Sequence, residues 1–291
     1  MTDNLDLNAF HNEDWATHIS VVEESIESTE SQHVPSQESR EESDVAIADN
    51  IAQYIDHTQL KTDATLSQID QLCKEASDYQ FKTVCVRLDH VRRCVTALND
   101  ASVGIACVIG FHEGTHPTAS KIVEAQSALQ AGASELDIVL NYPLLLSSSP
   151  QYSAVYFELQ ELRKAAGVKA TLKLIIETSQ LERSQIIAAC TLAHAAGFDF
   201  VKTSTGFKGH GAKVEDVRLM KRVVGFLDQR EGKGRKTQVK ASGGVKTWAD
   251  SLAMIRAGAT RIGASSGMAI VKEARSGNLS EKGNANSSGG Y

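Results

Sequence analysis

Two lysines stand where lysine is rarely placed. Lys202 closes the run Phe198-Asp199-Phe200-Val201, and Lys240 follows Gln238-Val239, each at the C-terminal end of a short apolar segment. Lysine is almost never fully buried unless it is paired or functional. Two ammonium groups in one dry pocket disfavour each other's charge, which lowers one pKa. An amine that is neutral near pH 7 is the nucleophile a carbonyl needs to form a Schiff base. Asp137, inside Glu135-Leu136-Asp137-Ile138-Val139-Leu140, is a third ionisable group within a strand-like run. A carboxylate there can pair with a lysine and move protons. From these residues alone, lysines that reach solvent at a rim and an aspartate in a structural ion pair remain open alternatives. Asp56 invites the same argument as Asp137 with less force.

Anion-binding pieces follow the same segments. Ser204-Thr205-Gly206 comes after Lys202, Ala241-Ser242-Gly243-Gly244 after Lys240, and Gly263-Ala264-Ser265-Ser266-Gly267 ends a later run. Glycines let backbone N–H groups approach an anion, and serine hydroxyls add donors. His112-Glu113-Gly114-Thr115-His116 matches a zinc-protease pattern, which requires both histidines on one face of a continuous helix. Gly114 between them and Pro117 directly after predict a loop instead, and no metal site is expected.

These residues need a scaffold, and its period is visible. Apolar β-prone runs fall at 52–55, 83–86, 104–109, 136–140, 171–176, 198–202, 238–241 and 261–264. Between them lie helical stretches at 67–79, 118–131, 151–166, 181–196, 214–227 and 247–257. Three helices stop at a glycine after a small residue (Gly132, Gly197, Gly258) and lead straight into the next strand. Alternation of this kind implies parallel βαβ units, and apolar residues on both parities imply strands covered on both faces. Eight repeats predict a single α/β domain, a (β/α)8 TIM barrel, with Lys202 and Lys240, 38 residues apart, on neighbouring strands at the mouth. An open doubly wound sheet would want a glycine-rich phosphate loop after its first strand, where Asp56-His57-Thr58 stands.

Charge divides the chain. Residues 1–50 hold 13 Asp/Glu and one Arg, a balance of −12, so the remainder carries +6 within the net −6. That is too thin a positive charge for a nucleic-acid footprint. It suits a small anionic substrate. Residues 1–45, acidic and poor in aliphatics, are expected to be a disordered extension, with the barrel at 46–274 and a flexible tail at 275–291. A hexapeptide at 231–236 is expected to be a surface loop. Five scattered cysteines without a CxxC pair point to a reducing, cytoplasmic compartment. No apolar run is long enough to span a membrane.

With these motifs in place, the chain closely resembles the deoxyribose-phosphate aldolase family, from about Ile51 to Val271. The resemblance is carried by Ile55-Asp56-His57-Thr58, Val84-Cys85-Val86, Val108-Ile109-Gly110-Phe111 and Leu174-Ile175-Ile176-Glu177-Thr178. The most specific pieces are Phe200-Val201-Lys202-Thr203-Ser204-Thr205-Gly206, Val239-Lys240-Ala241-Ser242-Gly243-Gly244 and Arg261-Ile262-Gly263-Ala264-Ser265-Ser266. It implies a class I aldolase of deoxyribose phosphate catabolism: Lys202 forms the Schiff base, Lys240 lowers its pKa and Asp137 relays protons. It also implies substrate and phosphate contacts at Gly206, Gly243, Gly244, Ser265 and Ser266, with Lys246 close by and Thr205 and Asp56 beside them. Its substrates would be a phosphorylated deoxy-sugar and acetaldehyde; it needs no cofactor, and its members form dimers or tetramers. A terminal tyrosine on a mobile tail, here Tyr291, would assist proton transfer. Three stretches depart from the family pattern: Arg87-Leu88, His112 to His116, and Lys208-Gly209-His210. They put substrate preference in question more than reaction type. Another Schiff-base barrel enzyme, or a non-catalytic barrel binding a sugar phosphate, remains the competing reading.

Overall fold

The computed structural model describes residues 7–28, 37–99, 101–232 and 236–285. Eight parallel strands pair each with the next, and the eighth with the first, into a closed barrel. They are β1 (Ile55–Thr58), β2 (Thr83–Val86), β3 (Gly104–Ile109), β4 (Glu135–Val139), β5 (Thr171–Ile175), β6 (Phe200–Lys202), β7 (Gln238–Ser242) and β8 (Arg261–Ala264). Their short apolar sequences are buried on both faces, one by the surrounding helices and one by the barrel interior.

The helices are α1 (Asn12–Ser28), α2 (Gln37–Asn50), α3 (Leu66–Tyr79), α4 (Leu88–Ala97), α5 (Thr118–Ala131), the single turn α6 (Pro143–Leu146), α7 (Tyr152–Ala166), α8 (Arg183–Ala195), α9 (Val214–Glu231), α10 (Trp248–Arg256) and α11 (Gly267–Ala285). Thr65 and Thr247 open α3 and α10 with capping boxes. Gly132, Gly197 and Gly258 all take positive φ at helix stops, as their placement predicts. The core is a large apolar layer between strands and helices. A separate small cluster of Leu60, Cys85, Ala106 and Val108, with Phe111 against it, lies apart.

Several expectations need correction. Residues 51–54 form a 3-10 turn, and the first strand begins only at Ile55. Its polar residues are buried because they are paired: His57 Nε2 lies 2.7 Å from Glu75, and Asp56 joins the charged cluster described below. Disorder over 1–45 does not hold for the described part. Within that acidic segment Trp15, Ile19, Val22 and Ile26 recur at helical spacing and are fully or almost fully buried. This stripe docks α1 on α7, α8 and α9, with the Trp15 ring 4.7 Å from that of Tyr156. Burying such side chains contributes about 1.5–3 kcal/mol each, enough to order a helix that composition alone would leave free. At the other end α11 is helical to Ala285, so the expected tail at 275–291 does not begin as a loop. Tyr291 and residues 233–235 of the hexapeptide loop lie outside the described residues. No described helix is long and apolar enough to cross a membrane.

Candidate active site

Register places the charged strand residues side by side. Lys202 is the partner of Lys240 across β6 and β7, and Asp137 that of Lys173 across β4 and β5. All converge on one carboxylate. Asp137 Oδ1 accepts from Lys173 Nζ at 2.6 Å, and Oδ2 accepts from both Lys202 Nζ and Lys240 Nζ at 2.7 Å. Deeper in the barrel, Asp56 pairs with Lys240 and Arg261. Glu135 pairs with Lys173 at 2.5 Å and with Arg261 at 2.9 Å. Lys202 is only 3% exposed, and Lys173, Lys240, Asp56 and Asp137 are wholly buried.

Counted by formal charge, Lys173, Lys202, Lys240 and Arg261 face Asp56, Asp137 and Glu135: four positive groups against three negative. Positive charge exceeds negative by one, and Lys202 is the lysine of the cluster whose pKa is shifted down. Burial is the largest influence on Lys202 and lowers its pKa; Asp137 opposes this, Lys240 lowers it again, and the amine ends below the ordinary lysine value. Burial also pulls on Lys240 and Lys173, but their carboxylate partners outweigh it and both end above that value. Burial would raise Asp137, yet the three lysines hold it well below the usual carboxylate range. The expected depression of one lysine by the other is therefore present, ranked behind burial.

The loops after β6 and β7 meet at the C-terminal end of these strands. Gly206, Gly243 and Gly244 all have positive φ. A Cβ on Gly243 would lie 2.9 Å from Gly211 Cα and 3.4 Å from Gly206 Cα, so glycine alone allows the approach. Ser204 and Ser242 bring buried hydroxyls without a protein partner. Ser265 and Ser266 immediately precede α11, at its N-terminus, and Lys246, two residues after Gly244, is exposed. Two other residues expected to contact substrate already have protein partners. Thr205 is committed to Glu177, donating to its carboxylate from the hydroxyl at 2.5 Å and from the backbone at 3.2 Å. Asp56 is wholly buried within the ion cluster, paired with Lys240 and Arg261.

Sequence reasoning missed Lys173, Glu135, Arg261 and Glu177. Lys173 carried the same signal as Lys202, a lysine inside an apolar strand. Glu177 did not: it is buried with φ +58 at the end of β5, a conformation sequence does not announce. Burial raises its carboxyl against the hydrogen bonds from Thr205. His112 and His116 lie in a turn and loop, not on a helical face. Among the described residues no group of His, Cys, Asp and Glu is arranged to hold a metal.

The model of the family described as DeoC/LacD family aldolase matches residues 50–273. The chain belongs to this aldolase family. A deoxyribose-phosphate aldolase of Coccidioides immitis is 54% identical over 229 residues, covering 79% of this chain and 82% of the relative. One from Caldicellulosiruptor saccharolyticus is 47% identical over 225 residues, 77% of this chain and 97% of the relative. A solved structure from Coccidioides immitis assigned to these enzymes superposes with a TM-score of 0.80 at 46% identity, covering 92% of this chain and all of that one. A tetrameric deoxyribose phosphate aldolase from Aeropyrum pernix gives 0.68 at 29% identity, with 82% and 97% covered. For this aldolase the family match begins at residue 50, so α1 and nearly all of α2 precede it.

Proposed function

We propose that this aldolase reversibly cleaves 2-deoxy-D-ribose 5-phosphate to acetaldehyde and D-glyceraldehyde 3-phosphate, with Lys202 as the Schiff-base lysine. The observation that carries the assignment is the shared Asp137 carboxylate. It holds one amine of lowered pKa and two of raised pKa within hydrogen-bond distance.

The neutral Lys202 amine adds to the C1 aldehyde, and loss of water leaves a protonated imine. Removal of the C3 hydroxyl proton breaks the C2–C3 bond, and its electron pair enters the imine to form an enamine. D-Glyceraldehyde 3-phosphate departs; protonation at C2 and hydrolysis then release acetaldehyde and restore Lys202. The imine is itself the electron sink, so the sequence of steps calls for no cofactor. Asp137, ionised and in contact with Lys202 and Lys240, is placed to pass protons between them. The phosphate is assigned to Gly206, Gly243 and Gly244 with Ser265, Ser266 and Lys246, where backbone donors and a helix N-terminus favour an anion.

A cytoplasmic setting is supported by five buried free cysteines. A homo-oligomer is supported by the tetrameric relative. Incubation with acetaldehyde followed by borohydride reduction tests the central step. Peptide mass spectrometry should find an ethyl adduct confined to Lys202 and absent from Lys202→Ala. Scattered labelling, or none, would remove the assignment. A panel of phosphorylated sugars separates this substrate from those of other Schiff-base barrel enzymes.

A further inference from the structure

The three stretches that depart from the family pattern are far apart in sequence, yet the fold brings them into one structure. Glu113, after β3, meets Lys208, after β6, at 2.6 Å. The Lys208 ammonium also donates to the Tyr142 hydroxyl, beyond β4, at 2.9 Å. The His112 ring stacks on Phe207 with centroids 5.2 Å apart and planes 16° from parallel, and Phe111 meets Phe207 edge-on at 5.2 Å. The Arg87 guanidinium, after β2, covers Phe111 at 5.0 Å and donates to the Leu60 carbonyl, beyond β1, at 2.8 Å.

Contacts thus run from the loop after β1 to the loop after β6, while Gly244, Ser265 and Lys246 stay exposed over β7 and β8. Phe111 belongs to this clasp and also packs on the apolar cluster of Leu60, Cys85, Ala106 and Val108. Cys85 borders the charged cluster, within electrostatic reach of Asp137, Lys240 and Lys202. The apolar cluster lies on β2, β3 and the loop after β1, its Cys85 sensing the charge of Lys202, and the clasp holds its outermost ring in place.

We propose that the clasp formed by Arg87, His112, Glu113, Phe207 and Lys208 determines donor specificity, by fixing Phe111 as the wall that limits the aldehyde condensed on Lys202 to a two-carbon chain. This rests on the activity assigned above. The phosphorylated half lies on the open side and is not subject to this limit. Glu113 is half exposed, so the ion pair matters less for stability than for where it holds the rings.

The test is aldol addition to D-glyceraldehyde 3-phosphate, with kcat/KM measured for acetaldehyde and for propanal as donors. Glu113→Gln and His112→Ala should each lower the acetaldehyde-to-propanal ratio by about fivefold, equivalent to about 1 kcal/mol. Because both act on one set of contacts, the double variant should fall short of the product of the two. If both donors lose rate in proportion and the ratio stays at the wild-type value, the clasp is structural only and the proposal is wrong. A wild type that fails to condense acetaldehyde would instead overturn the activity on which it rests.

Discussion

The barrel interior and the seam beneath α1 are both buried, and they are built from opposite materials. Inside the barrel, seven charged side chains pair with one another, and Asp137 alone answers to three lysines. Under α1, Trp15, Ile19, Val22 and Ile26 meet apolar helix faces. A charged cluster gains only while every partner is present, since removing one strands the others without water. An apolar seam loses in proportion to the area removed. Shifting an amine calls for the first arrangement, in which burial and neighbouring charge act together on Lys202; attachment of an extra helix requires only the second.

Asp137→Asn should break the comparison most severely. It leaves four cations against Asp56 and Glu135, so kcat/KM for sugar-phosphate cleavage should fall by about 10²–10⁴ as proton transfer is lost. Denaturant titration should show a loss of about 3–5 kcal/mol, the cost of stranding buried charge. A variant with wild-type stability would mean that water or a rearranged lysine compensates inside the barrel.

Lys240→Met sharpens the point by changing a pKa. Lys240 lowers the pKa of Lys202, so its removal should raise that pKa, and the acid limb of the kcat/KM–pH profile should move to higher pH. The sign is fixed because the proposed attack by Lys202 needs the deprotonated amine. An unmoved limb would mean that Lys240 does not influence the amine.

Trp15→Ala addresses the other region and should affect activity least. Thermal or denaturant unfolding should register up to about 3–5 kcal/mol, less if α1 detaches without unfolding the barrel. The kcat/KM should stay within about twofold of wild type, because separate and distant sites act independently. A large fall in activity would show that the two regions are coupled.

The same contrast explains what could be read from the chain before its fold. The barrel was legible because strand runs, helix stops and spacing are local properties, and Lys202 and Lys240 were legible because they interrupt apolar strands. Lys173 interrupts one just as plainly, but its importance lies in being the register partner of Asp137, a relation between strands that no local pattern states. The first strand was placed too early because Asp56 and His57 look like a loop until their partners Arg261 and Glu75 arrive from distant positions. The stripe of α1 was present in the sequence at positions 15, 19, 22 and 26, masked by the thirteen acidic residues around it. The convergence of Arg87, Glu113 and Lys208 depends on loop geometry and had no sequence signal.

The chain has two tryptophans. Trp15 is sealed in the seam, whereas Trp248 opens α10 just after Lys246, partly exposed and beside the glycine loops. Intrinsic fluorescence therefore offers one emitter for each region. Detachment of α1 would shift the blue emission of Trp15 to longer wavelength, while an anion settling at the β7–β8 rim would perturb only Trp248. With Trp15→Phe and Trp248→Phe as references, one spectrum can report whether the added helix and the catalytic mouth move together or apart.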